Sequence, residues 1–416
     1  MRWNEFLTAI GNKCWFIIPF IGFLILDGCA MHRVSSEVLE FRSNNVEKRS
    51  LAKCNGSENY IPWNGSSNES PFRTIRLNFH FMDDENHSQN LIGEEAKDFV
   101  EDLVEQANKE LASNQKMRLP PGNLTEVLDP LIGYKVVKDN QGNSSIFFHS
   151  DNELYFLVNK GKDQNNYRRT VIQKYGIGLD SVVNVFVMPP HPDSMISETY
   201  GAPVTGIALR NAIKISGDFK NDREPWRYSG TFNHEVGHLL GLRHAWGNDG
   251  CDDTPRHSNC WNFTNNGSEC DSLVSNNIMD SNADQDAFTP CQIGVMQRKL
   301  IRSNSEMRNY TMRDFCFPNG SEDLVIKDSV YWCIEKDLVA GIRIASGGVL
   351  FIDNRLSIPQ DCGIIMEKGS KLILGSQARL HNACGLKWEG IMSREKEPDI
   401  LVYRGAKIEH KNFELP

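Results

Sequence analysis

The stretch "TFNHEVGHLLGLRHAWG", Thr231 to Gly247, gathers three histidines and a glutamate into one short segment. On a helix, residues four apart share a face, so His234 and His238 aim both imidazoles at one point, with Glu235 at the margin of that face. Gly241 then interrupts the apolar run of Val236, Leu239 and Leu240. A glycine tolerates the positive φ that ends a helix and turns the chain sharply. Such a turn swings His244 back as a third ligand. Three neutral imidazoles without a fourth side chain leave one tetrahedral position of a zinc ion to water, which is the catalytic arrangement and not the structural one. The bland alternative is an amphipathic helix with chance histidines.

The complete spacing, H-E-x-x-H-x-x-G-x-x-H, is the metzincin signature. Downstream, "SNNIMDSNADQDAFTPCQ" (Ser275 to Gln292) offers Met279 for a methionine turn, and "GCDDTP" (Gly250 to Pro255) follows soon after the third histidine. Over roughly residues 70 to 318 the chain resembles the pappalysin-type metzincins. Taken alone, Met279 would read as core filler, since methionine packs irregular gaps. The resemblance implies an α/β (α+β) catalytic domain in which a sheet lies above the zinc helix and its edge strand receives the substrate in extended form. It also implies one catalytic Zn2+ on His234, His238 and His244, with Glu235 as general base and Met279 beneath the metal. Asp284, five residues after Met279, would lie at the base of the pocket receiving the residue just after the scissile bond and select arginine or lysine there. A tyrosine is common two residues after the methionine in this family, whereas this chain has Ser281. Asp249, Asp252 and Asp253 are calcium candidates, as oxygen ligands in an acidic loop suit that ion.

The rest of the composition describes an exported chain. Its 416 residues allow two domains, and the formal charge of -9 argues against a nucleic-acid partner, which needs a basic face. The expected partners are protein or peptide substrates. Residues 1–29 read as a signal segment whose run "CWFIIPFIGFLIL" ends in "LDGCA", resembling a bacterial lipobox with Cys29 as the lipidation site. A lipid there would be the one membrane attachment, at a bacterial envelope.

Of the 11 cysteines, Cys14 lies in the signal and Cys29 in the lipobox, leaving an odd number for disulfides. Eight fall in or after the zinc motif, and Cys54 stands apart in a polar stretch rich in Ser, Asn and Gly. A thiolate is a strong zinc ligand, and some pappalysin-like enzymes keep themselves latent with a pro-segment cysteine on the metal. "KCNGS" is similar to that switch but inserts Asn55 before Gly56. The expected organisation is therefore signal 1–29, pro-segment 30–70 with a Cys54 switch, catalytic domain 71–318 and an all-β segment 319–416.

Local patterns support the division. "FRTIRLNFHFM" alternates as a half-buried strand does, and "GEEAKDFVEDLVEQANKELASN" carries one apolar stripe of Ala96, Phe99, Leu103, Val104, Ala107 and Leu111. "VVNVFVMP" is apolar enough to lie inside a sheet, and "GAPVTGIALRNAIKIS" could supply the substrate-binding edge. After about residue 320, "GIRIASGGVLFIDNRL" and "GIIMEKGSKLILGSQARL" align with Ile342 on Ile364, Gly347 on Gly369, Leu350 on Leu372 and Ile352 on Leu374. A repeat of about 22 residues suits short strands stacked in a solenoid resembling a right-handed parallel β-helix. The function expected is an exported zinc endopeptidase made as a latent zymogen and cutting before Arg or Lys. A surface binding or adhesion lipoprotein with a vestigial zinc site is the competing class.

Overall fold

The computed structural model describes residues 31–34, 40–42, 54, 56–62, 70–159, 164–191, 205–320 and 322–409. The signal segment and Cys29 lie outside these residues. The N-terminal segment contributes two short strands, β1 (His32–Arg33) and β2 (Glu40–Arg42), and a 3-10 turn at Ser57–Tyr60. Next come β3 (Arg73–Asp83), α1 (Gly93–Ala112), β4 (Ile132–Val136), β5 (Ile146–Ser150), α2 (Thr170–Tyr175) and β6 (Val183–Met188). A hairpin of β7 (Thr205–Ala208) and β8 (Ala212–Ser216) precedes α3 (Trp226–Leu239) and α4 (Pro290–Ile301).

The sheet runs β4-β3-β6-β8-β7, and β5 pairs with the second half of β3. All pairs are parallel except β7 with β8, so the outermost strand is antiparallel to the rest. β3 corrects the half-buried expectation. Its first residues alternate, but from Leu77 to Asp83 every position is buried, because helices cover one face and the 151–172 region covers the other. Ile75, Leu77, Phe79 and Phe81 face α1, whose predicted stripe is buried against them. Each such side chain, fully withdrawn from water, contributes roughly 1.5–3 kcal/mol.

The remainder of the chain makes four successive turns, each laying one strand on each of three sheets. The turns are β9 (Leu324–Ile326), β10 (Ser329–Trp332), β11 (Lys336–Asp337); β12 (Ile342–Ile344), β13 (Val349–Ile352), β14 (Arg355–Ser357); β15 (Gly363–Met366), β16 (Lys371–Leu374), β17 (Arg379–His381); and β18 (Gly390–Ser393), β19 (Asp399–Tyr403), β20 (Lys407–Ile408). Within this stack every pair is parallel, and Ile342 opposes Ile364, Leu350 opposes Leu372 and Ile352 opposes Leu374, as the repeat alignment predicts. Gly347 and Gly369 both take positive φ at the corners, where a side chain would be strained. The inward residues stack into one apolar core with Trp388, which is fully buried.

The N-terminal segment belongs structurally to this stack. β1 pairs antiparallel with β18, β2 pairs parallel with β19, and Cys54 is disulfide-bonded to Cys333. Tyr60 is buried with Ile301 and Ile334, wedged between α4 and the first turn of strands. This overturns the cysteine switch: a sulfur committed to Cys333 cannot ligate zinc. The other pairs are Cys251–Cys291, Cys260–Cys270 and Cys316–Cys384, so among the described residues the unpaired thiol is Cys362 and not Cys54. We therefore expect Cys54→Ser to leave peptidase activity at the parent level while lowering thermal stability, measured side by side on the full chain. Activation of the variant would restore the switch.

A buried charge cluster joins the β4-β3-β6-β8-β7 sheet to the stack. Asp337 on β11 is 1% exposed and accepts from Arg73 at 2.5 Å, from Arg308 at 2.6 and 2.9 Å and from Arg355 at 2.7 Å. Glu335 pairs with Arg355 at 2.8 Å, and Phe315 lies under the guanidinium groups of Arg73 and Arg308.

Candidate metal centre and catalytic site

Helix α3 carries the first two histidines and Glu235, and its placement is set by polar contacts to α1 and β4. Glu110 accepts from Ser229 Oγ at 2.5 Å and Asn233 Nδ2 at 3.1 Å, while Tyr134 donates its hydroxyl to Asn233 Oδ1 at 3.0 Å. The helix ends at Leu239, Gly241 takes φ +94°, and the chain reverses to present His244.

The three imidazoles converge. His238 Nε2 lies 3.1 Å from both His234 Nε2 and His244 Nε2. Two of the rings are oriented by carbonyls: His234 Nδ1 donates to Ile278 O at 2.7 Å and His238 Nδ1 to Leu242 O at 3.0 Å, which fixes the tautomer and turns the Nε2 lone pairs inward. The third is stacked on Trp246, ring centres 4.0 Å apart. Converging lone pairs repel one another unless a cation sits between them. Zinc–nitrogen bonds of about 2.0–2.1 Å in a tetrahedral site set ligand atoms about 3.3 Å apart, close to the spacing found. Burial, reinforced by the neighbouring imidazoles, pushes the His234 pKa down to about 4 and lowers that of His244. Burial likewise lowers His238. All three are thus held neutral, the form that binds a metal. The donor set fits zinc.

Glu235 is buried beside this triangle, and desolvation pushes its pKa up to about 7, against a weaker opposing hydrogen bond from the Ala208 amide. Such a carboxyl can take up and release a proton near neutrality. Met279 is fully buried under α3, and a side chain at Gly237 would overlap its sulfur, so the glycine inside the histidine motif is what lets the methionine turn approach.

Several residues of the site carry no spacing signal in the sequence. Gln285 donates to Ile278 O at 3.0 Å and Asp280 O at 2.8 Å, bracing the turn behind His234. His257 bonds Asp280 at 2.9 Å, both side chains nearly buried; burial opposes the charged ring, but the carboxylate raises its pKa overall. Trp246 and Gly237 lie within the quoted motif, where the signal is an aromatic residue beside the third histidine and a small residue between the first two.

The remaining candidates are placed differently from expectation. Asp284 is not a buried, unpaired carboxylate: its side chain is 53% exposed and bonds Arg118 Nη1 at 2.7 Å. Ser281 is exposed, and its backbone amide donates to Asn259 Oδ1 at 3.1 Å. Asp249 accepts from the Cys251 amide at 3.0 Å and from Thr254 Oγ1 at 2.7 Å, so it folds its own loop. Asp253 accepts from Thr289 Oγ1 at 2.7 Å and the Cys291 amide at 3.0 Å, capping the start of α4 where the helix dipole favours an anion. Asp252 is exposed. Asp249 and Asp253 thus act as hydrogen-bond acceptors of a turn, and among the described residues the three acids do not gather into one group of candidate metal ligands. A cluster of Cys251, Cys291 and Asp253 is likewise closed to metal by the Cys251–Cys291 disulfide.

Residues 177–301 match the family model of the M43 peptidases, described as pregnancy-associated plasma protein-A. Among curated proteins none matches the chain. Solved structures that match include mirolysin in complex with a small compound, 19% identical, covering 58% of this chain and 97% of that one at a TM-score of 0.41. Mature mirolysin of Tannerella forsythia with a cleaved peptide is 18% identical, with the same coverages and a TM-score of 0.40. A promirolysin variant from the same organism is 17% identical over 62% of this chain and 87% of that one, at a TM-score of 0.40. The histidine triangle and the family match together define a metzincin metallopeptidase. The matched segment, residues 177–301, holds the whole histidine triangle, and over it the chain is similar to the pappalysin-type zinc metalloendopeptidases.

Proposed function

We propose that this chain is an exported endopeptidase in which Glu235 is the general base and Arg is the preferred residue after the cut. The observation that carries it is the buried Glu235 carboxyl beside three converging, neutral imidazoles. When bound, zinc acidifies a water and polarises the scissile carbonyl. Glu235 takes the water's proton on a carboxylate oxygen as the new C–O bond forms, and delivers it to the amide nitrogen as the C–N bond breaks. Peptide substrate lies along β7, the last strand of the sheet among the described residues, in a position suited to strand addition. The reading holds one metal, zinc, and leaves the acidic loop as a hydrogen-bonded turn. The intact ligand set speaks against a vestigial site.

The preference for Arg, and less strongly Lys, rests on Asp284 with altered physics. Arg118 neutralises that carboxylate in the free enzyme, and an incoming guanidinium takes its place, a bidentate match that lysine lacks. Profiling cut sites in a peptide library checks this. The parent should cut mostly before Arg, Asp284→Ala should lose that preference, and Arg118→Ala should sharpen it. A majority of cuts before apolar residues, or an unchanged profile in Asp284→Ala, rules the assignment out.

Export is supported by four disulfides, which persist in oxidising compartments. Lipid attachment at Cys29 remains the proposed anchor at a bacterial envelope, and fractionation of expressing cells with fatty-acid labelling tests it. The zymogen reading loses its thiol switch. A cut after Tyr60 would leave the N-terminal segment tied to Cys333 until that disulfide is reduced. We read the three parallel sheets as a right-handed parallel β-helix that the N-terminal strands extend at one end.

A further inference from the structure

β7 does more than border the cleft. Leu209 and Ala212 exchange both backbone hydrogen bonds at the tip of the hairpin, so alternate residues Gly206 and Ala208 turn their N–H and C=O away from β8. The two residues share one face of the strand. That face meets Glu235: a Cβ built on Gly206 would lie 2.5 Å from Glu235 Cγ, 2.8 Å from Oε1 and 2.9 Å from Cδ. Separations under 3.0 Å force something to move. Here the neighbour is the side chain that moves the proton, which α3 itself carries and which is only 6% exposed. Gly206 takes no positive φ, so backbone conformation does not explain a glycine at this place. Glycine in a strand interior also weakens the strand, and it marks a close approach.

We propose that Gly206 is a positioning residue for catalysis: its missing side chain is the space in which the Glu235 carboxyl is seated over the histidine triangle. The outward amide of Ala208 completes the seat by donating toward the same carboxylate. The edge strand thereby has two tasks at adjacent positions, receiving the substrate backbone and fixing the group that moves its proton. The inference rests on the reading of Glu235 as general base.

The experiment is a double-mutant cycle on the full-length, zinc-loaded protein with a fluorogenic peptide. Gly206→Ala should lower kcat by about 10²-fold, within the span of general-base catalysis, with KM within about twofold and zinc still bound. In the Glu235→Ala background the same change should cost nothing further, because groups acting as one unit are not additive. Ala208→Pro is the second variant, since proline is tolerated on an edge strand with its N–H side outward; it should lower kcat and also be silent without Glu235. Parent-like kcat in Gly206→Ala, or a loss that repeats in full when Glu235 is absent, overturns the inference. If Gly206→Ala fails to retain zinc or fold, Ala208→Pro decides alone on the same criterion. The underlying reading fails separately, and only if Glu235→Ala itself keeps parent turnover.

Discussion

Glu235→Ala should bind zinc as the parent does and lose turnover by about 10³-fold, the middle of the range for a positioned acid–base group. Zinc binding should survive because Glu235 contributes no ligand: the converging atoms are His234, His238 and His244 Nε2. His234 also keeps its orienting bond to Ile278 O, so truncating the neighbour leaves the ring where it is. Glu235→Gln separates the proton role from the space the side chain fills. The amide is isosteric but cannot carry the proton, and it should be as slow as alanine. Measured kcat on one peptide together with metal content decides it, and near-parent turnover in both variants assigns the base elsewhere.

Asp337→Ala should destabilise the protein by about 3–5 kcal/mol, the cost of stranding buried charges without their counter-ion. Here three guanidinium groups lose one carboxylate, and Arg73 is itself fully buried. The same cluster sets a pH dependence. Burial alone would raise the Asp337 pKa, but Arg355, Arg73 and Arg308 outweigh it and hold it well below the usual carboxylate value of 3.8. A group whose folded pKa is depressed stabilises the fold fully above its unfolded pKa and loses that contribution as pH falls through the folded one. Denaturant unfolding at neutral pH and below about pH 3 should therefore show the parent's advantage over Asp337→Ala shrinking only at the acidic end. An advantage that vanishes already near pH 5 contradicts this account of the cluster.

The metal centre was legible in the sequence because ligand spacing on a helix is local: His234, His238 and the Gly241 turn are fixed within a few bonds of one another. The same locality made the α1 stripe and the strand repeat readable, the latter because each turn of chain repeats its inward Ile and Leu positions. What escaped was set by long-range contact. Cys54 appeared solitary by count, yet its partner Cys333 lies 279 residues away and is brought near by strands β1 and β2 adding to the stack. The offset from Met279 predicts a buried carboxylate at Asp284, but Arg118, 166 residues earlier, pairs with it at the surface. β3 read as half-buried because alternation marks only the face a strand shows to water, and its second half shows none. Gly206, Gly237 and Gln285 act through neighbours that only the fold supplies.

The central claim is that three imidazoles hold the one zinc on which cleavage depends. Stripping the purified protein with chelator, then titrating zinc back while measuring bound metal and peptide cleavage on the same samples, tests it directly. Cleavage should return in proportion to occupancy and level off at one zinc per chain, with His238→Ala neither binding that zinc tightly nor cutting. Full cleavage by the metal-free protein, or unchanged zinc binding in His238→Ala, would contradict the account.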